Sequence, residues 1–589
     1  VPRRGRDDLQ AAKTLAFALS LALFGVAPNS VSYFDAHNHL SGILPYYAYA
    51  DLPAFIESLS NPSKAVSVED RLALYRYLAD VWYPSKGVAL DDKLFSPADG
   101  QRFALGARAA LLVYRNQVAG SAVALNGTLE RVLTATPWSE FDSAYAFRGG
   151  PAWSYLQSRF YAGSDNRLNA DLCRATVLDL AATHIDVSEQ SVPFVGGWRF
   201  EDGKSQPLDS VECMIGAPSD ASLAAALHAM GKPMPMVKVV LMTHTAQLAT
   251  LPGGAQYSEW SKTGACAAVS LPRALVTTPK MVYDGLMGWN AGRLVVSGAA
   301  ATQFFNTVVG IDTAAPETTC FTAYGMRYYA QLIDAVYRAS KARRLAGWHG
   351  KLLVHTHVGE GAAIAYAPTP PAQPWTFQTL FATLPPTRTN SAQAQANISI
   401  LLAAIAQFED AHPDVHDYVL FRLAHDTWAT QAQAQAMHDE GVEADVNLES
   451  NVATGAYPIA RMPLGGAKIL ADEIDPVARN PATNFELNNL LGTLVSDPGN
   501  VSQVGGILGD ASLKYLLEAR VRCLLGTDAD GVEHSDIVKE YAYAGSLIAY
   551  WNQTDPAFHA RASGINKQTL FDNVRWHLAN MGSDRVLAY

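Results

Sequence analysis

Eight short apolar runs rich in β-branched residues recur along this chain, and stretches of amphipathic sequence separate most of them. That alternation constrains the fold more than any other feature. A strand that is followed by a helix and then by another strand builds a parallel sheet whose faces the helices cover. The runs lie at 32–36, 182–187, 236–242, 306–311, 351–356, 418–424, 442–447 and 521–526. Helices are expected at 169–180, 222–230, 323–344, 391–409, 429–440, 511–520 and 537–550. Eight strands with interleaved helices is what closure requires, so the expected class is α/β, a (β/α)8 TIM barrel. No internal repeat at a solenoid period competes with that reading.

The chain has 589 residues, against roughly 250 for a plain barrel, so it must carry insertions. Helical-looking sequence such as 68–82 predicts an inserted helical subdomain at about 43–163, after the first strand, where it could roof an active site. The stretch 365–390 contains PTPPAQP and LPPT, whose prolines forbid a continuous helix or a central strand. A third irregular stretch covers 465–506. All three follow strands, on the face where such barrels keep their catalytic groups. The barrel is expected over 31–589, preceded by a leader at 1–30. There Arg3, Arg4, Arg6 and Lys13 precede an apolar run at 15–27, the layout of a secretory signal. Export to the periplasm or beyond the cell is the expectation, and a helix packed on the barrel is the alternative. The run is too short to span a membrane.

A formal net charge of -11 argues against nucleic acid and against an anionic membrane surface as partners. A small-molecule substrate is expected instead, and a homodimer is left open. The cysteines Cys173, Cys213, Cys266, Cys320 and Cys523 form no CxxC pair, so a cysteine zinc site is not expected. One or two disulfides would suit an exported chain, and the odd count leaves a thiol over.

Four polar clusters stand at the ends of strands. FDAHNHLSG carries His37 and His39, two apart, so that both imidazoles share one strand face. KLLVHTHVGEG carries His357, with Glu360 three residues on, within reach of the same cavity as a proton donor. His355 shares the His357 face two residues deeper and is expected to be a buried neighbour rather than a ligand. YVLFRLAHDTWA ends its strand at His425, and VRCLLGTDADG places Asp528 just past an apolar run. Singly, each has an ordinary structural explanation, as a core histidine or a turn aspartate. In a barrel, however, the ends of strands one, five, six and eight converge. Three imidazoles and one carboxylate leave an open position for water, and zinc lowers the pKa of such a water to about 7. Zinc is favoured, one ion per chain, although iron or manganese occupies similar donor sets. No phosphate loop and no GxSxG nucleophile elbow is present.

These residues resemble the amidohydrolase superfamily, specifically its adenosine deaminase branch. HNHLSG resembles the branch's HxHLxG, and HVGE, His357–Glu360, resembles its HAGE. RLAHDTWA resembles RIGHG through Arg422 and His425, and NLESN resembles PTSN through Ser450 and Asn451. GTDADG resembles TDDP, and VVGIDTAAPE resembles GIDLAGDE. The wording and the leader look closest to the secreted, growth-factor-like deaminases and their bacterial relatives. The resemblance implies that His37, His39, His357 and Asp528 bind zinc and that His425 activates the water. It implies that Glu360 protonates a purine ring nitrogen, and that Asp312, Ala314 and Asp530 lie on the substrate side. Three departures stand out. The family's second strand-eight aspartate is Ala529 here, GHG has become AHD, and Ala315 replaces a glycine. Three functions therefore stay open: hydrolytic deamination of a purine nucleoside such as adenosine; hydrolysis of a non-purine amide, amidine or ester; and a catalytically weak secreted binding protein.

Overall fold

The structure, a computed structural model, describes residues 32–40, 42–77, 81, 152–194, 206–260, 264–290, 293–294, 299–314, 319–361, 363–364, 388–389, 391–453, 498–530 and 535–583. Eight parallel strands run in chain order around one sheet. They are β1 (Tyr33–His39), β2 (Ile185–Pro193), β3 (Met236–His244), β4 (Val308–Ala314), β5 (Leu352–Val358), β6 (Val419–His425), β7 (Glu443–Val446) and β8 (Cys523–Leu525). The sheet closes where β1 meets the end of β8. Asn38 and Asp528 form a parallel bridge, His39 N donates to Asp528 O (2.6 Å), and Asp528 N donates to His37 O (2.8 Å). Gly526 sits at this seam. A Cβ there would lie 2.8 Å from the His37 backbone nitrogen, so only glycine allows the two strands to come this close. The expected TIM barrel is the observed fold.

Helices pack outside the strands at the expected places, including Ala323–Leu345, Ser391–Ala411 and Ile537–Thr554. Side-chain caps fix their starts: Thr322, Thr430 and Asp536 each accept from a backbone N–H in the first turn. The second strand departs from expectation. The helix before it runs through Ala182, and β2 covers Ile185–Pro193, three residues later than the apolar run suggested. The apolar signal ends early because the inner face of β2 carries Glu189 and Ser191.

The insertion after β1 is helical where described, at Leu52–Ser60 and Val68–Tyr77. Leu52–Ser60 packs on the outer helices Asp165–Ala182 and Ala221–Met230, on the flank of the barrel. The rest of that insertion, the leader, and most of the 365–390 and 465–506 stretches lie outside the described residues, so the expected roof does too. Among the described residues no helix is long and apolar enough to cross a membrane. Cys173 pairs with Cys213 and Cys266 with Cys320, leaving Cys523 as a buried free thiol.

The barrel interior is layered. At its base Phe34, Val187 and Leu524 pack on Val574 and Leu578 of the C-terminal helix Lys567–Asn580, while Val240, Val309, Leu353 and Leu420 pack on Met581. Above them lies a buried charged layer. Arg422 pairs with Glu189, and His577 donates or accepts at 2.8 Å to Glu189 Oε1 through Nε2 and to Glu443 Oε2 through Nδ1. Burial alone would lower the His577 pKa, but the Glu443 and Glu189 carboxylates override it and raise it to about 9. In the unfolded chain it would be about 6.5. The imidazolium therefore contributes stability that is full below about pH 6.5 and is lost as pH rises through about 9, on the order of 3 kcal/mol. Denaturant unfolding of the wild type should show this loss between pH 7 and pH 9.5, and His577→Gln should be less stable at pH 7 and flat over that range. An equally steep pH dependence in the variant would remove His577 from the account.

Candidate metal centre

Strict alternation along β1 would set His37 and His39 on the face of Tyr33 and Asp35. The structure breaks it with a register irregularity between Asp35 and Asn38. Phe34 and Ala36 consequently fill the barrel below, and His37 and His39 still line the mouth above. Asp35 turns to the seam, where it accepts from Thr527 N (2.9 Å) and Thr527 Oγ1 (2.7 Å). Burial drives the Asp35 pKa up to about 6 against these hydrogen bonds.

His37 Nε2, His39 Nε2 and Asp528 Oδ1 form a triangle. The two imidazole nitrogens are 3.2 Å apart, and the carboxylate oxygen lies 3.3 Å from His37 and 3.2 Å from His39. Asp528 adopts a left-handed backbone, φ 62°, which aims its carboxylate across the seam. Aspartate tolerates that conformation better than most residues. Ser450 Oγ donates to Asp528 Oδ2 at 2.6 Å and so fixes which oxygen faces the histidines. Burial works against an ionised Asp528, but the hydrogen bonds from His37 and His39 hold its pKa well below the usual carboxylate range. Burial is the main reason His37 falls to about 4.

β5 alternates regularly, so Leu353, His355 and His357 share the interior face. The His357 ring centroid lies 4.6 Å from that of His37 and 5.4 Å from that of His39. His425 reaches the same cluster differently. At the end of β6 it takes φ 71°, and Asp426 takes φ 46°, which swings His425 Nε2 to 3.2 Å from His357 Nδ1. The left-handed turn that a glycine would have made at this point is therefore kept, by residue types that tolerate it. Burial, then the neighbouring His357, keep the His425 pKa well below its ordinary value, so the ring stays neutral. Glu360 is buried just past β5, between Gly359 and Gly361, whose φ values are 84° and 63°.

The sequence-derived donors His37, His39, His357 and Asp528 thus converge, with His425 beside them. Asp312, expected on the substrate side, is fully buried among the histidines. Its Oδ2 lies 3.4 Å from His357 Nε2 and accepts from Ser191 Oγ (2.6 Å), and its Oδ1 lies 3.4 Å from His355 Nδ1. Ala314 is buried at the end of β4, and Ala315 lies outside the described residues. Asp530 accepts from Asn38 Nδ2 at 3.2 Å. Lys238 sits at the barrel base and donates to Asn306 O (2.6 Å), far along the strand from the cluster. His244 turns back on its own loop and accepts from Ala246 N (3.1 Å). Sequence reasoning missed Asp445, whose Oδ2 faces His355 Nε2 at 3.2 Å, and it missed Glu189 and Ser191. The signal was there in β7, where Glu443 and Asp445 interrupt a strand that both faces should make apolar.

No protein-family model matches this sequence, and no curated protein matches it. Solved structures do. The apo N6-methyl-AMP deaminase from Arabidopsis thaliana aligns at 11% identity over 93% of this chain and 97% of that one, with a TM-score of 0.39. Arabidopsis ADAL complexed with GMP aligns at 11% identity over 94% and 98%, with a TM-score of 0.38. A variant of the atrazine chlorohydrolase TrzN from Arthrobacter aurescens TC1, complexed with zinc and atraton, aligns at 12% identity over 77% and 67%, with a TM-score of 0.36.

Proposed function

We propose that this chain is a metal-dependent hydrolase of the amidohydrolase kind, and that it deaminates a purine nucleoside such as adenosine to inosine and ammonia. The observation that carries the metal is the triangle of His37 Nε2, His39 Nε2 and Asp528 Oδ1, with edges of 3.2–3.3 Å. A tetrahedral zinc with bonds of about 2.0–2.1 Å needs donors about 3.3–3.4 Å apart. His357 completes the set, and two nitrogen and oxygen donor types together suit zinc. When bound, the cation supplies Lewis-acid activation of water at neutral pH.

The chain's own groups do the rest. His425, held neutral, takes the proton from the attacking water. Glu360 delivers a proton to the ring nitrogen beside the carbon under attack, which lets the amine leave. Ser450 holds Asp528 so that Oδ1 rather than Oδ2 meets the histidines. Ser450→Ala should accordingly bind zinc about 10–100-fold more weakly, read by competition with a chelator; unchanged affinity would strip Ser450 of that role.

Ala529 favours a second reading. The deaminases it resembles place an aspartate there to contact the purine, whereas here the side chain is a buried alanine and Asp530 is engaged by Asn38. A non-purine amide, amidine or ester then replaces the nucleoside on the same engine. Zinc-loaded protein assayed for the absorbance change of adenosine to inosine, beside a panel of non-purine amides, separates the two. Turnover of adenosine supports the first reading, and turnover of non-purines alone rejects it in favour of the second. The two disulfides further support an oxidising, extracytoplasmic location.

A further inference from the structure

Behind the ends of β7 and β8 lie two glutamates that take no part in the hydrolytic chemistry, Glu449 and Glu540. β7 gives way after Asn447 to a short helix, Leu448–Ala453. The first backbone N–H groups of a helix have no partners within it, and an asparagine in the preceding position commonly accepts from them. Asn447 does not, because neither atom of its side-chain amide makes a hydrogen bond. Glu540, fully buried on the helix Ile537–Thr554, takes that place instead. Its Oε2 accepts from Leu448 N (3.0 Å) and its Oε1 from Glu449 N (2.7 Å). The exchange is reciprocal. Glu449 Oε2 accepts from Asp536 N (2.8 Å), at the residue that caps Ile537–Thr554. Burial, and then the neighbouring Glu449, raise the Glu540 pKa well above the ordinary carboxyl range.

We propose that Glu540 is a positioning residue for the metal ligand Asp528, acting through the Leu448–Ala453 helix and Ser450. The inference rests on the mouth cation of the proposed function. Ser450 follows Glu449 directly, and its Oγ donates to Asp528 Oδ2 at 2.6 Å. Both oxygens of Glu540 hold the start of this helix, so where that start sits, Ser450 sits too. The backbone of Asp528 is fixed by the seam with β1, whereas its carboxylate is set by Ser450. The entry to Ile537–Thr554 also reaches the same strand end from the other side, where Ser535 Oγ donates to Thr527 O (2.6 Å), one residue before Asp528. Glu540→Gln keeps the size of the side chain and, like a protonated carboxyl, carries no charge. It differs in presenting an NH2 group to one of two backbone N–H groups that both need an acceptor. One of the two hydrogen bonds is then lost, and the helix start is free to shift.

The test measures zinc affinity by chelator competition in the full-length wild type, Glu540→Gln, Ser450→Ala and the double variant. Glu540→Gln is expected to bind zinc about tenfold more weakly, the lower end of what loss of a group supporting a ligand costs. In the Ser450→Ala background the same change should cost less than about twofold, because its route to Asp528 is already cut. The visible spectrum of the cobalt-loaded protein should shift alike in the two single variants. Wild-type zinc affinity and a wild-type cobalt spectrum in Glu540→Gln, whatever its melting temperature does, make Glu540 a helix cap alone and overturn the proposal. An undiminished cost in the Ser450→Ala background also overturns it. Both results leave the mouth cation standing. A wild type that binds no zinc instead sinks the hydrolase reading, and this inference with it. If Glu540→Gln does not fold, Glu540→Asp, which withdraws the carboxylate by one methylene, is read by the same criteria.

Discussion

Asp528→Asn should strip the mouth cation from the protein and lower turnover by about a thousandfold or more, on whichever substrate the wild type hydrolyses. Asp528 Oδ1 is the one oxygen in the triangle, lying 3.3 Å from His37 Nε2 and 3.2 Å from His39 Nε2. It supplies the negative charge that three imidazoles cannot. Loss of a Lewis acid removes several kcal/mol of transition-state stabilisation, and each 1.4 kcal/mol is about tenfold in rate. Asparagine is the informative substitution. It keeps the volume of aspartate, and it tolerates φ 62° nearly as well. The seam bridge to Asn38 is made by backbone and survives. Metal content by mass spectrometry, turnover and a thermal melt should be read together. A variant that melts like the apo wild type, yet holds no zinc and turns over nothing, supports the assignment. One that keeps its zinc and its rate would remove Asp528 from the metal centre.

The barrel was legible because parallel strands covered on both faces must be apolar on both faces, and such runs announce themselves. The same rule explains what was hard to read. β2 was placed three residues too early because Glu189 and Ser191 point inward and end the apolar signal at Val187. The polar layer made by Glu189, Arg422, Glu443 and His577 draws on four distant segments. One of them is the C-terminal helix, whose closure of the base no local pattern encodes. The candidate donors were readable one strand at a time, but the reasons they converge were not. His37 and His39 reach the mouth through a β1 irregularity, and His425 and Asp528 do so through left-handed backbone. The resemblance implied that Asp312 lies on the substrate side. The register of β4 on β5, which pairs Asp312 with His355, puts it among the histidines instead.

The likeness to deaminases in the hydrolytic residues and the departures at Ala529 and Asp530 pull in different directions. Both departures lie on one side of the mouth, just past β8. On the proposed function, the residues assigned to water activation sit at the ends of β1, β5, β6 and β8 and are packed into the barrel. What would read a ring sits beyond β4 and β8. Past β8, Asp528 belongs to the ligand triangle, and Asp530 is engaged by Asn38, itself tied to Asp35 and Thr527. Substrate choice can therefore shift without disturbing the chemistry.

That separation makes Glu360 the sharpest test of the chemistry itself. Glu360→Gln should lower kcat by about 10²–10⁴-fold, the usual contribution of a positioned proton donor, while KM changes little and metal content stays at the wild-type level. Glu360 is buried beyond β5 between two glycines with left-handed backbone. The loop is anchored from the other side, where Trp428 N donates to Gly359 O (3.0 Å). Glutamine preserves size and hydrogen bonding in that confined turn but cannot release a proton to a ring nitrogen. A general acid acts only as the bond to the leaving amine weakens, so its loss falls on kcat and on kcat/KM together rather than on ground-state binding. A substrate whose leaving group needs no proton should recover most of the lost rate in the variant, since the water-activating residues are untouched. If Glu360→Gln instead raised KM at constant kcat, Glu360 would be a binding residue. If it lost metal, the carboxylate would belong to the ligand set.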